Sequence, residues 1–332
     1  MTYHIYGIGN ALVDQEYEVA DSFFREAGIQ KGVMTLIDEA QMHALRAHLQ
    51  SQSTPKKQAC GGSAANTILA ATYFGAKTFY SCNVAADADG DFYAQDLTAA
   101  GVDSNINGHR DQGHTGKCTV MISPDAERTM NTFLGITADL DEKHIREEVL
   151  AQAQYVYIEG YLVTSPTSRA AAIKVRELAR KHGVKVALTC SDPAMTQYFR
   201  DGLLEMIGDG VDMLFCNEEE AQLLAGVYSL DEAIAFLKSK AKTFAITQGA
   251  KGAMAFDGQQ LHQIAPHVVT PVDTNGAGDA FAGAFLYALT HGYDYPAAGR
   301  LASMTSAKLI TQFGPRLAPK QYVELLPALN PA

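Results

Sequence analysis

Short apolar runs alternate with segments of helical periodicity along most of this chain. Tyr3 to Ile8 predicts a first strand. It runs into Gly7-Ile8-Gly9-Asn10-Ala11-Leu12, which misses the dinucleotide fingerprint because Leu12 stands at the third glycine position. Val13 to Val19 mixes polar and apolar residues as a half-exposed strand would. A helix over Asp21 to Ala27 and a return strand over Val33 to Ile37 follow. Cys60-Gly61-Gly62-Ser63-Ala64-Ala65-Asn66-Thr67 opens a helix that carries Ile68, Leu69 and Tyr73 on one side and stops at Gly75. Lys77 to Val84 reads as strand, and Gly90 to Ala100 as a helix stopped by Gly101. Gly116 to Ser123 and Arg128 to Leu134, joined by Pro124-Asp125-Ala126-Glu127, have the composition of a hairpin and again look half-exposed. Together the polar-alternating stretches predict a small β-lid assembled from discontinuous segments, about 13–37 and 114–135.

From Gln154 the pattern becomes regular. Tyr155 to Ile158, Lys185 to Leu188, Met213 to Cys216 and Thr243 to Thr247 read as short buried strands. Helical stretches at Ser168 to Lys181, Met195 to Met206 and Glu218 to Leu224 separate them. This predicts an α/β fold with a mostly parallel sheet covered by helices, in which ligands collect beyond the C-terminal strand ends. Glu159, Ser191-Asp192, Asn217 to Glu220 and Gln248 to Gly252 all fall there. Pro296 to Gly314 reads as a helix rich in small residues, and the following Phe313-Gly314-Pro315-Arg316 has packing as its default role. No repeat, low-complexity tract or linker interrupts residues 1–332, so the chain is read as a single domain.

Composition narrows the partners. The net charge of -11, from 26 basic and 37 acidic residues, excludes a nucleic-acid backbone or anionic membrane as a general partner, while leaving room for a local phosphate pocket. Met1-Thr2-Tyr3-His4 shows no signal-peptide features, and the longest uncharged run, Ala59 to Ala76, is too polar to span a membrane. Cys60, Cys82, Cys118, Cys190 and Cys216 are widely spaced and contain no Cys-x-x-Cys, as expected of reduced thiols in a cytoplasmic protein.

The densest chemistry lies in Thr270-Pro271-Val272-Asp273-Thr274-Asn275-Gly276-Ala277-Gly278-Asp279, ahead of a helix carrying Phe281, Phe285, Leu286 and Leu289 and closed by Gly292. Free first-turn amides and the positive end of the helix dipole suit an anion at Gly276, Ala277 and Gly278. An acid beside them, Asp279, is placed to take a proton from an attacking hydroxyl, which suggests phosphoryl transfer. The same residues would also serve an ordinary strand-turn-helix junction. Asn217 and Glu220 are spaced to share a helix face that could hold water around magnesium, or they could simply start an acidic helix. Gly61 and Gly62 allow close backbone approach, and Asn66 offers both donor and acceptor. Arg128 is either a phosphate contact from the lid or a solvated hairpin charge.

Taken in order, Gly61-Gly62-Ser63-Ala64-Ala65-Asn66, Asn217-Glu218-Glu219-Glu220, Thr247-Gln248-Gly249-Ala250-Lys251-Gly252 and Asp273 to Asp279 resemble the ribokinase-like (PfkB) family of carbohydrate and nucleoside kinases. The resemblance spans Gly7 to about Gly314. It implies a three-layer α/β/α domain with a small β-sheet lid, ATP and Mg2+ as cofactors, and Asp279 as catalytic base over the Gly276–Gly278 anion hole. Asn217 and Glu220 would govern magnesium and phosphate, with Glu220 reaching Mg2+ through water. Thr247, Gly249 and Gly252 would lie at the nucleotide, and Asp273 resembles a position linked to a monovalent cation such as K+. Within the family, Gly7 to Asp14, Tyr157-Ile158-Glu159-Gly160-Tyr161 and Asn275 look most like adenosine kinases. That resemblance gives Asp14 and Asn66 the ribose hydroxyls, lines the same pocket with Asn10 and Gly62, and offers Phe133 and Leu134 to a base. The expected reaction is transfer of the γ-phosphoryl group to the 5′-hydroxyl of adenosine or a related ribonucleoside. A sugar kinase of the same family, acting on ribose, fructose or a keto-deoxy sugar acid, is the nearest alternative, and a non-catalytic nucleoside- or sugar-binding regulator the more distant one. Monomer and homodimer both remain open, since such lids cover their own site or pair with a second subunit.

Overall fold

The computed structural model describes residues 2–52, 54–55, 57–108, 110–125 and 127–330. The chain opens with β1 (Tyr3–Ile8), β2 (Leu12–Glu18), α1 (Asp21–Ala27), β3 (Met34–Leu36), α2 (Glu39–Gln50) and β4 (Lys57–Gly61). It continues through α3 (Ser63–Phe74), β5 (Thr78–Ser81), α4 (Ala88–Ala100), β6 (Asp103–Ser104), β7 (Gly116–Ile122) and β8 (Arg128–Phe133). Next come α5 (Glu147–Leu150), β9 (Ala153–Ile158), α6 (Pro166–Lys181), β10 (Lys185–Thr189), α7 (Pro193–Tyr198), α8 (Arg200–Ile207) and β11 (Val211–Asn217). The last part holds α9 (Glu218–Ala225), α10 (Leu230–Lys240), β12 (Ala241–Thr247), β13 (Ala253–Phe256), β14 (Leu261–Ile264), α11 (Ala277–Thr290), α12 (Tyr295–Leu309) and α13 (Pro319–Leu325).

Nine strands form one sheet in the order β14-β13-β12-β11-β10-β9-β1-β5-β6. Pairing is parallel from β6 to β12, and β13 and β14 extend that edge antiparallel. One face packs against α3, α11 and α12 through Ile68, Phe285 and Leu301. The other packs against α6, α8 and α10 through Val175, Leu203 and Leu237. The central strands are apolar because helices cover both faces. Register aligns their C-terminal ends: Ile8 lies beside Ile158, and Asn217 beside Thr247. The loops that follow therefore share one rim.

A second sheet, in the order β3-β8-β7-β2-β4, is built from the segments expected to form the lid, with β4 added. Its strands are more buried than their polar alternation suggests. Only Glu18 of β2 is exposed, and β7 is buried up to its last residue. The reason is an unanticipated layer: α2, together with α1, places Phe23, Phe24, Leu45 and Leu49 against Tyr17 and Met121. Burial of each large apolar side chain there is worth roughly 1.5–3 kcal/mol. The β7–β8 pair is the expected antiparallel hairpin, although Ala126 of its turn lies outside the described residues.

Two helical expectations change. The stretch at Met195 to Met206 is two helices broken at Phe199, and the one beginning near Pro296 ends at Leu309 rather than Gly314. The residues beyond Leu309 form a turn that reaches the site described next.

Candidate active site

Two helix N-termini converge at the strand-end rim. At α11, Gly276 is the N-cap with φ 75°, and a Cβ there would come 2.7 Å from the Pro315 carbonyl oxygen, so only glycine fits. At α3, Gly62 is the N-cap, and the first turn presents Ser63 and Asn66. Ser63 Oγ donates to Asp279 Oδ1 at 2.6 Å, and Asn66 Nδ2 donates to Asp279 Oδ2 at 3.0 Å. Asp279 thus joins the two helix starts, as a carboxylate whose remaining lone pairs face a cavity of about 520 Å3.

Asn10, Asp14, Gly62, Asn66, Leu134, Asn217, Glu220, Thr247, Gly276, Ala277, Gly278 and Asp279 all line this cavity. Six other expected site residues do not. Gly61 lies behind Asp14, where a Cβ would sit 2.1 Å from Asp14 Oδ1. Met130 and Thr132 on β8 and Leu134 just after it line the cavity, so by strand alternation Phe133 faces away. Gly249 and Gly252 occupy a turn beyond β12, outside the cavity wall. Arg128 does not line the cavity and is paired with Asp273, with Glu16 at 3.5 Å. The Asp273 carboxylate also accepts the amides of Gly314 at 2.7 Å and Asn275 at 3.0 Å. With Arg128 these donors take three of its roughly four acceptor sites, and nothing in its surroundings supports a bound K+.

Burial dominates the electrostatics. It raises the Asp279 carboxyl to about 6, against the pull of the Ser63 and Asn66 hydrogen bonds and the Arg316 charge. Burial likewise lifts Asp14 to about 7 and Glu220 to about 7, and Glu159 to about 8 although two amides bind its carboxylate. Among the described lining residues there is no Lys, Arg or His. Helix N-termini supply the positive potential, with cationic side chains set behind the wall.

Glu220 accepts from the Asn217 backbone amide and Nδ2, both at 2.9 Å, while Asn217 Oδ1 accepts the Glu220 amide at 2.8 Å. The pair is therefore a capping box, the structural role the sequence left open. Among the described residues no cluster of His, Cys, Asp or Glu could cage a metal. The donor set fits magnesium brought by a polyphosphate and reached through water.

Three contributors lay outside the expected site set. Glu159, at the end of β9, accepts the amides of Ala64 at 2.7 Å and Asn10 at 3.2 Å, tying two cavity-lining loops together. Its strand-end position was the available signal. Ser191, with φ 71°, is the one non-glycine residue at positive φ among those described, and its Oγ accepts the Gly160 amide at 2.9 Å. Arg316, assigned only to packing, donates from Nε to Asn66 Oδ1 at 3.0 Å. No local pattern marks a contact between residues so far apart in sequence.

This fold and site define a phosphotransferase with an alcohol group as acceptor, and the chain belongs to the pfkB family of carbohydrate kinases, which it matches over residues 33–321. Within that family it is adenosine kinase-like. It is similar to the adenosine kinase from Sinorhizobium meliloti, 32% identical, with a TM-score of 0.89 over 98% of this chain and 99% of that one. It is also similar to the adenosine kinase of Saccharomyces cerevisiae, 29% identical over 338 residues, covering 95% of this chain and 97% of that enzyme. The ribokinase of Haemophilus influenzae is equally 29% identical, over 262 residues, 77% of this chain and 82% of that enzyme. No described helix is long and apolar enough to cross a membrane.

Proposed function

We propose that the protein transfers the γ-phosphoryl group of ATP to the 5′-hydroxyl of adenosine or a related ribonucleoside. The observation that carries this reading is the roof above Asp279. Leu12, Met34, Leu36, Val120, Met130 and Leu134 of the five-stranded sheet give the cavity an apolar face suited to a base, which a free pentose would leave wet.

Asp279, titrating near 6, is largely ionised at neutral pH and accepts the proton of the attacking hydroxyl. Asp14 and Asn66 hold the ribose hydroxyls, with Asn10 and Gly62 completing that wall. The Gly276, Ala277 and Gly278 amides stabilise charge on the transferring group. Thr247 and Asn217 border the nucleotide side, and Arg128, paired with Asp273, fastens the lid hairpin to the loop before Gly276. Magnesium bound with ATP neutralises phosphate charge. The five-stranded sheet acts as a lid that excludes water, which would otherwise compete as nucleophile.

The nearest alternative is a sugar kinase, favoured by the equal identity to a ribokinase and by the four buried carboxylates of the cavity floor. A binding regulator without turnover would have little use for an acid held by two donors at an anion-binding helix start. The deciding experiment is ADP release from ATP and Mg2+ with adenosine, inosine, guanosine, ribose, fructose and keto-deoxygluconate offered separately. The expected result is a strong signal with adenosine. A signal with a free sugar alone would overturn the nucleoside assignment, and binding without ADP release would favour the regulator.

A further inference from the structure

The turn after α12 touches the reaction centre in three ways. Pro315 packs against the Gly276 N-cap, the Gly314 amide binds Asp273, and Arg316 crosses to Asn66. The Arg316 side chain is 12% exposed and its guanidinium is anchored on three separate elements. Nε donates to Asn66 Oδ1 on α3 at 3.0 Å, Nη1 to Asp96 Oδ2 on α4 at 3.2 Å, and Nη2 to Cys60 Sγ on β4 at 3.3 Å. Asp96 Oδ2 also accepts the Cys60 amide at 3.2 Å, closing the ring.

The consequence concerns the direction of one amide. A primary amide presents an acceptor on one side and donors on the other, and its neighbours decide which way it lies. A guanidinium can only donate, so it requires the Asn66 oxygen. Nδ2 must then face Asp279, where it is found at 3.0 Å. The opposite orientation would set two donors together on one side and carbonyl against carboxylate on the other. We propose that Arg316 is a positioning residue for phosphoryl transfer: by fixing the Asn66 amide, it fixes the Asp279 carboxylate that the substrate hydroxyl meets.

The same guanidinium places a buried positive charge near an acidic floor. Asp279 is faced by Ser63 and Asn66 from α3 and by Arg316 from the turn. Electrostatic neighbours are Asp14 on β2, Glu159 after β9 and Glu220 on α9, with the phenols of Tyr157, Tyr161 and Tyr322. The arginine opposes the rise that burial imposes on both Asp14 and Asp279. Losing it should move the acidic limb of turnover to higher pH.

This inference rests on Asp279 acting as the base, so its test is a double-mutant cycle on the full-length protein. Arg316→Met should lower kcat about 10²-fold, the scale of a reacting group displaced by about 1 Å. KM for ATP should hardly move, and the acidic limb should shift upward. Arg316→Lys, which keeps the charge but not the forked geometry, should restore the limb while recovering only part of kcat. It also serves as the folded variant should the methionine substitution destabilise the Cys60–Asp96 ring. In an Asp279→Asn background, Arg316→Met should cost almost nothing further. An equal loss in both backgrounds, or wild-type kcat with an unmoved limb, would overturn the positioning role. Wild-type turnover of Asp279→Asn alone would instead overturn the assignment of the base.

Discussion

The cavity has two walls of opposite character. Its floor comes from the strand ends and helix starts of the nine-stranded sheet and is polar, with Asp14 added from β2, an interior strand of the second sheet. Three of the floor's groups are tightly held: Asp279 by Ser63 and Asn66, Asn66 by Arg316, and Glu159 by two amides. The roof is a set of aliphatic and sulfur-bearing side chains, with no charged group among Met34, Leu36, Cys118, Val120, Met130 and Leu134. Phosphoryl transfer needs charge placed to within a fraction of an ångström, and the floor supplies it through hydrogen bonds to rigid elements. A base needs area more than direction, and the roof supplies it through packing. Chemistry and acceptor choice should therefore separate by wall.

The largest effect should come from the floor. Asp279→Asn should reduce kcat about 10²–10⁴-fold, the usual contribution of a general base, with acceptor binding largely kept. Folding should survive, because the Ser63 hydroxyl can turn from donor to acceptor. Steady-state turnover together with acceptor affinity measured by calorimetry would check this. A variant that loses acceptor binding but keeps its turnover would break the division between the walls.

The roof should respond differently. Met130→Ala and Leu134→Ala each remove a buried contact to the proposed base, worth roughly 1–3 kcal/mol. KM for adenosine should rise about 5- to 100-fold, while KM for ATP stays put and any slow turnover of free ribose is unchanged. Phe133→Ala is the internal control. Its side chain leaves the same strand on the other face, so it should act on stability and not on acceptor choice.

The two walls also differed in how much of them could be read from the sequence. Floor residues sit at the ends of apolar runs, in short motifs with glycines whose backbone demands are specific. That Asp279, Asn66, Asp14 and the Gly276–Gly278 turn come together in one cavity wall was therefore legible, as were the parallel order of the strands and the hairpin at Arg128. Of the two adjacent lid residues offered to a base, Leu134 lines the cavity and Phe133 does not, because pattern alone left open which of them faces inward. The burial of β2 and β7 was missed because it depends on α2, whose mixed composition did not announce a helix. The Arg316–Asn66 and Arg128–Asp273 contacts were invisible for a different reason. Each is a contact between segments over a hundred residues apart, created by the fold and unmarked by local spacing.

The smallest effect concerns stability without ligand, and it too should divide by wall. Asp14, Glu159, Glu220 and Asp279 titrate at about 6 to 8 in the folded protein, well above the usual carboxylate range near 4. Between those limits the folded state binds more protons than the unfolded chain. The stabilisation these acids provide is complete below about pH 4 and is lost as pH rises through their folded values. Surface carboxylates such as Glu147 and Asp257, held at about 2 by their partners, have the opposite sign, but their contribution is already complete by pH 5. Burial lowers His4 and His144 below the ordinary histidine value, so they act with the opposite sign up to about pH 6.5. The floor is therefore read above that, from about pH 6.5 to 8, where Tm should fall by a degree or more. Among the described residues Asp14 has no hydrogen-bonded partner of its own to lose on neutralisation, so Asp14→Asn should flatten that slope, whereas Leu134→Ala should lower Tm equally at every pH. An unchanged slope in Asp14→Asn would mean that the buried carboxylate is already relieved by water entering the cavity, and that the floor is wetter than its burial suggests.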